Sequence, residues 1–273
     1  MTEKTYELIE RFHPRSINIP IDKCELEKAV EMLVALMFPI CDCPATVSVQ
    51  QGLREVAEKL HTNIAKIHNP EAADQKTEAF FERLPAIQAR LYEDAGCYLR
   101  FDPAAKTLEE VIIAYPGFYA LCVHRIAHEL HLLGLPLISR LFSEYAHSKV
   151  GIDIHPAAQI GNNLFMDHGT GIVIGETTQI GNNVKIYQGV TLGALYVEKK
   201  LSDVKRHPTV EDNVVIYANA TILGGATVIG HDSTIGGDVW LTKSVIPYSL
   251  VTNTVDIKIR SGKDFSGPFD FVI

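Results

Sequence analysis

The sequence predicts an α+β chain in which an all-helical N-terminal region is followed by a parallel β-helix of hexapeptide repeats. Three observations carry this. Glycine is split unevenly, with 4 of the 19 in residues 1–149 and 15 in residues 150–273. Apolar residues of the first part recur at helical spacing. In the second part an aliphatic residue followed by glycine recurs mostly at multiples of six. The domains expected are 1–148 (helical), 149–257 (β-helix) and 258–273 (a flexible tail).

The helical elements follow from spacing and punctuation. Leu26, Ala29, Val30, Leu33 and Met37 share one helical face that ends at Pro39. Val49, Leu53, Val56, Leu60, Ile64 and Ile67 form another, stopped by Asn69-Pro70. A third helix is expected near 75–95, kinked or broken at Pro85. Thr107 and Glu110 have capping-box spacing. Two more helices fit 117–133 and 136–147, separated by Gly134-Leu135-Pro136.

In the second part the aliphatic-Gly doublets begin at Ile160, Ile174, Ile180, Leu192, Leu223, Ile229 and Ile235. A period of six belongs to neither a helix nor a plain strand. It fits coils in which each hexad supplies one short strand and one turn. The aliphatic side chain points inward, and the glycine gives the turn its backbone freedom.

Composition excludes several classes. The chain has 273 residues, 47% hydrophobic and 21% charged, which is ordinary for a globular protein. A net charge of −8 without a basic stripe speaks against nucleic-acid binding. The longest stretch free of Asp, Glu, Lys and Arg, Val111 to His124, is broken by Pro116-Gly117 and too short to cross a bilayer. The charged N-terminus does not read as a secretory signal. Cys24, Cys41, Cys43, Cys97 and Cys122 are odd in number and scattered, which fits a reducing, cytoplasmic setting. Cys41-Asp-Cys43 has no second cysteine pair to complete a zinc site. His124, His128 and His131 share a helical face with metal-like spacing, yet nothing completes the set, and the pattern reads better as a packed or interfacial face. No metal is expected.

Several segments are more specific. They are Phe101-Asp-Pro-Ala-Ala105, Gly117-Phe-Tyr-Ala-Leu121 with Arg125-Ile-Ala-His128, Ile152-Asp-Ile-His-Pro-Ala-Ala158, Met166-Asp-His-Gly-Thr-Gly-Ile172, Ile174-Gly-Glu-Thr177, Val190-Thr-Leu-Gly193 and Arg206-His-Pro208. Together they resemble the hexapeptide-repeat acyltransferases, and more narrowly the serine O-acetyltransferase family, over about residues 101–247. The resemblance implies a left-handed winding, three hexads per coil, and homotrimers or dimers of trimers with sites between subunits. It also implies transfer of the acetyl group of acetyl-CoA to L-serine, the first step of cysteine biosynthesis. Residues 194–205 depart from the family, since a longer glycine-free segment replaces a short glycine-rich loop.

The implied chemistry needs a base for the serine hydroxyl and a donor for the developing oxyanion. By resemblance His168 is the base and Asp153 its carboxylate partner, within one chain or across two. Asp102 and Asp167 match the substrate ammonium. Arg206 matches its carboxylate, and His207 either that carboxylate or the oxyanion. Gly193, Ala194 and Ala218 align with coenzyme A contacts, and Lys199, Lys200 and Lys205 lie where phosphates could be attracted. Ile273 matches a terminus that inserts into O-acetylserine sulfhydrylase. Three other readings stay open: acetylation of homoserine or a sugar, a zinc hydratase built on His155, His168, His207 or His231, and a non-catalytic docking scaffold.

Overall fold

The computed structural model describes residues 2–6, 20–38, 48–196 and 204–254. The expected tail with Ile273, Cys41-Asp-Cys43, Lys199 and Lys200 lie outside the described residues.

The helices are α1 (Lys23–Met37), α2 (Val49–Ala65), α3 (Pro70–Phe101), α4 (Leu108–Ala114), α5 (Pro116–Leu132) and α6 (Pro136–Val150). Asp22, Ser48, Asn69 and Thr107 each cap an N-terminus by accepting an otherwise orphaned backbone N–H. The Thr107 box is incomplete, because Glu110 reaches back to the amide of Lys106. The third helix is longer than its spacing suggested, running 32 residues without a break at Pro85. Proline in a helix interior costs about 3 kcal/mol or more. Phe80, Leu84, Ile87 and Leu91 flank it and are buried, and their packing outweighs that cost.

From Asp153 the chain winds as a three-faced parallel solenoid of about five turns. The first face stacks β1 (Asp153–Ile154), β4 (Val173–Ile174), β7 (Thr191–Gly193), β10 (Thr221–Leu223) and β13 (Trp240–Leu241). The second stacks β2 (Gln159–Ile160), β5 (Gln179–Ile180), β8 (Thr209–Val210) and β11 (Val228–Ile229). The third stacks β3 (Phe165–Asp167), β6 (Lys185–Tyr187), β9 (Val215–Ile216), β12 (Thr234–Ile235) and β14 (Leu250–Val251). Aliphatic side chains fill the interior in registered columns, such as Ile154 on Ile174 on Leu192 on Ile222.

Six of the seven doublets place their aliphatic residue inside. Leu223 does not: Ile222 takes the inward site and Leu223 pairs with Gly193. The coil carries one more residue here, and Gly224 absorbs it at φ +102°. In the last coil Trp240 faces outward, 68% exposed.

The turns between the second and third faces are built alike. Asn163, Asn183, Asn213 and Asp232 all adopt positive φ. Their side chains form a ladder, with amide donors passing from Asn163 to Asn183, to Asn213 and on to Asp232. Asn and Asp tolerate this backbone better than other non-glycine residues.

A solenoid's first coil exposes unpaired backbone groups. Here the helical region covers them. The Met166 amide donates to Tyr98 Oη and the Asn163 amide to Asp94. Arg125 is ion-paired with Asp94 and donates to the carbonyls of Ile160 and Gly161. His124 and His128 contact the carbonyls of Ala158 and Pro156, their rings stacked at 5.6 Å. The histidine face of α5 is thus a docking face. Gly117 permits close approach of α5, since a Cβ there would lie 2.4 Å from the Met166 carbonyl oxygen.

Candidate active site

The residues expected to bind and react gather at two corners of the solenoid. One corner joins the third face to the first. Asp167 ends β3, and His168 follows at φ 58°, an uncommon conformation for a residue with a Cβ. That turn throws the imidazole outward, where it is 68% exposed. Its Nδ1 lies 3.7 Å from Asp167 Oδ1, which also accepts the His168 amide at 2.8 Å.

Asp102 comes to this corner from the end of α3. Its carboxylate accepts the Ala104 amide at 2.8 Å and the Tyr115 hydroxyl at 2.5 Å. The bond to Asp102 holds the Tyr115 phenol up at about 12, aided by burial and the charges of Asp102, Glu110 and Asp167. Tyr187 pairs in register with Asp167 and stacks on Tyr217 at 5.0 Å. Burial raises the Tyr187 phenol, and Tyr217, Asp167 and Asp102 push it further. Both carboxylates therefore act on the same small region. Asp153 sits half-buried on β1 and makes neither an ion pair nor a hydrogen bond with His168 inside this chain.

The other corner joins the first face to the second. Gln159 pairs with Gln179, twenty residues on, but Gln179 pairs with Thr209, thirty on. The extra length is the segment after β7, which returns with Lys205, Arg206 and His207. Arg206 forms an ion pair with Glu176. Burial alone would raise the Glu176 carboxyl, but the Arg206 hydrogen bond and the positive charges nearby bring it below its usual value.

His207 is 8% exposed. Burial first, then the charges of Arg206 and Lys205, lower its imidazole to about 4. His155, from the coil above, is also lowered to about 4, chiefly by burial. Gly175 packs closely on the His207 ring, and a Cβ there would come within 2.2 Å of Nε2. Lys205, though exposed, donates from Nζ to the carbonyls of Thr177 and His207 at 2.9 and 3.1 Å. Desolvation lowers its ammonium as well.

The chain brings Asp102, Asp167 and His168 together, and separately Arg206 and His207. The three positions aligned with coenzyme A are split in the same way. Gly193 ends β7 and Ala194 begins the long segment, whereas Ala218 lies in the turn between β9 and β10, its carbonyl accepting the Asp238 amide. Sequence reasoning assigned no role to Tyr115, Glu176 or Thr177. The Gly-Glu-Thr string was visible, but nothing in it showed which residues it would meet thirty positions away. Among the described residues, no group of three or more His, Cys, Asp or Glu side chains could hold a metal ion, and no helix is long and apolar enough to cross a membrane.

No protein-family model matches the chain. Among curated proteins, it is 48% identical over 200 residues to a plasmid serine acetyltransferase of Synechococcus elongatus, an alignment covering 71% of this chain and 61% of that protein. It is 50% identical over 120 residues to a serine acetyltransferase of Helicobacter pylori, covering 44% of this chain and 68% of the relative. The chain thus spans less than two thirds of the length of most of the curated relatives it matches. Among solved structures, serine acetyltransferase isoform 3 of Entamoeba histolytica in complex with cysteine superposes with a TM-score of 0.79 at 31% identity, covering 95% of this chain and 94% of that one. The Neisseria gonorrhoeae serine acetyltransferase in complex with serine gives 0.61 at 28% identity, covering 84% and 82%. Near-complete coverage at that identity, on a helical region followed by a parallel solenoid, means that the chain belongs to the serine acetyltransferase family.

Proposed function

We propose that this protein transfers the acetyl group of acetyl-CoA to the hydroxyl of L-serine, giving O-acetyl-L-serine for cysteine biosynthesis. The observation that carries the reading is the sorting of charge. A carboxylate pair, Asp102 with Asp167, stands beside an outward histidine at one corner, and Arg206 with a neutral, donor-bearing His207 stands at another. A zwitterionic amino acid with a side-chain hydroxyl complements both halves. A sugar complements neither charge.

His168 takes the proton of the serine hydroxyl as that oxygen attacks the thioester carbonyl. It returns the proton to the departing sulfur. Thioesters carry a good leaving group, so no covalent enzyme intermediate is needed. Asp153, with Asp167 adjacent, stabilises the imidazolium. Asp102 and Asp167 take the ammonium, and Arg206 takes the carboxylate as a planar fork. His207 donates either to that carboxylate or to the oxyanion.

Two corners of one chain cannot face each other across the solenoid. We therefore read the active unit as a left-handed, three-hexad coil assembled into a homotrimer or a dimer of trimers, in which one subunit's His168 corner meets a neighbour's Arg206 corner. Coenzyme A then lies along the seam, reached by Gly193 and Ala194 from one side and Ala218 from the other. The domain division at 148/149 and 257/258, a cytoplasmic location, and insertion of Ile273 into O-acetylserine sulfhydrylase belong to the same reading. The cysteine and serine in the relatives' crystals favour an amino-acid acceptor site here.

The test is thiol release from acetyl-CoA with L-serine, homoserine and a sugar panel, beside His168→Ala. Serine-dependent release lost in the variant supports the substrate and the base together. Release with another acceptor alone keeps the fold and removes the assignment.

A further inference from the structure

Thr177 stands out among the residues to which the chemistry above gives no role. Each of its backbone and side-chain polar groups is engaged by residues 205–207. Its hydroxyl oxygen accepts the amides of Arg206 and His207 at 2.9 and 3.0 Å. The same oxygen lies 2.9 Å from His207 Nδ1, and the Thr177 amide reaches that nitrogen at 3.1 Å. Its carbonyl accepts Lys205 Nζ at 2.9 Å.

These contacts have one consistent proton arrangement. A backbone amide can only donate, so Nδ1 of His207 is an acceptor. The hydroxyl already accepts twice, so its single proton also goes to Nδ1. The ring's own proton is then on Nε2. Gly175 packs closely on the ring, where an added Cβ would lie 2.2 Å from Nε2.

We infer that Thr177 is a positioning residue of the acetyl-transfer site, fixing His207 as the Nε2–H tautomer and fixing the backbone from which Arg206 reaches the substrate. The inference rests on the proposed function and deepens it. His207 offers its donor while uncharged, so its hydrogen bond is available at every pH at which the His168 base can work. An uncharged donor still orients an anionic group strongly when it is buried and pre-set.

The experiment compares Thr177→Val, which keeps the shape and removes the hydroxyl, with Thr177→Ser, which restores it. Steady-state kinetics are read beside nitrogen–proton correlation NMR of 15N-histidine-labelled protein, with a His207→Gln variant to identify the His207 signals. The wild type is expected to show one Nε2–H tautomer for His207, unchanged from pH 8 to pH 6. Thr177→Val keeps the backbone amide, so Nδ1 should remain an acceptor, but with one donor fewer its resonance should shift, and kcat/KM for serine should fall by about ten- to a hundredfold, the order expected when buried groups lose their partner. A rise in KM alone would put the His207 donor on the substrate carboxylate, and a fall in kcat alone would put it on the oxyanion. Either supports positioning. Thr177→Ser should recover the wild-type Nδ1 resonance and most of the rate. A wild-type Nδ1–H tautomer, or a folded Thr177→Val enzyme with unchanged kinetics, overturns the inference. If wild-type protein released no thiol with serine, the proposed function would fail while the tautomer spectrum still tested the Thr177 contact.

Discussion

The two corners that carry the expected chemistry are built on opposite principles. At the His168 corner the reactive ring is exposed, and its nearest charged partner is the neighbouring Asp167 at 3.7 Å. At the Arg206 corner the His207 ring is buried, and its Nδ1 is bonded twice to Thr177. A base that must both take and return a proton has to stay reachable, and in the proposed assembly its surroundings are completed by substrate and a neighbouring copy. A donor that must never titrate gains from being dry, neutral and held in place. The fold meets both needs because turns of a solenoid can project a side chain outward or tuck one back beneath the next coil.

The comparison can be broken most sharply by removing one half from each of two chains. His168→Ala and Arg206→Ala should each lower kcat by about two to four orders of magnitude. If each site takes one corner from each of two subunits, co-expressing the two variants should recover about a quarter of wild-type activity, since some sites then contain both intact corners. Complete absence of recovery in mixed oligomers of confirmed composition would place both halves in one chain.

The next largest effect targets the buried corner alone. In Gly175→Ala the new Cβ would occupy the space of the His207 ring, at 2.0 Å from Cδ2. We expect about tenfold or greater loss in kcat/KM for serine with the solenoid still folded by circular dichroism. An unchanged KM and kcat would show that His207 has more freedom than its packing implies.

Acid separates the corners as well. His155 and His207 are both depressed to about 4 from the ordinary 6.5, so the unfolded chain binds protons that the folded chain refuses. Their contribution to stability is complete above about pH 6.5 and is lost as pH falls from there toward about 4. The melting temperature should therefore drop by several degrees between pH 7 and pH 5. His207→Gln should flatten part of that slope, and a slope identical to wild type would count against a neutral, buried His207.

The smallest effect sharpens the open corner. Tyr115→Phe removes the hydroxyl that holds one oxygen of Asp102. The carboxylate keeps its charge and its Ala104 bond, so KM for serine should rise by only about three- to tenfold with kcat nearly constant. A kcat loss as large as that of His168→Ala would mean that Tyr115 takes part in proton transfer.

Much of the fold was legible because its causes are local and repeated. The doublets at Ile160, Ile174 and Ile180 mark inward positions directly, and Thr107 reads as a cap from its spacing to Glu110. Leu223 misled because one additional residue shifts which aliphatic points inward, and only the register with Leu192 reveals it. No break occurs at Pro85: a backbone cost was visible in the sequence, while the compensating burial of Phe80 and Leu84 was not. Within the site, residue types were legible at His168, Asp167, Arg206 and His207, since a short motif surrounds each. Tyr115 and Thr177 were not, because their parts depend on what a distant segment places beside them.

The sequence by itself determined the solenoid and the helical region before it, and it nominated the side chains proposed to react, since periodicity and motif are properties of neighbours along the chain. Only the tertiary structure decided that the first coil is capped through Asp94, Arg125 and Tyr98, that Lys205 bonds back to the Thr177 carbonyl, and that the acidic and basic halves lie on separate corners. Those outcomes depend on pairings across 28 or more residues, where burial and hydrogen-bond satisfaction select partners that no local pattern encodes.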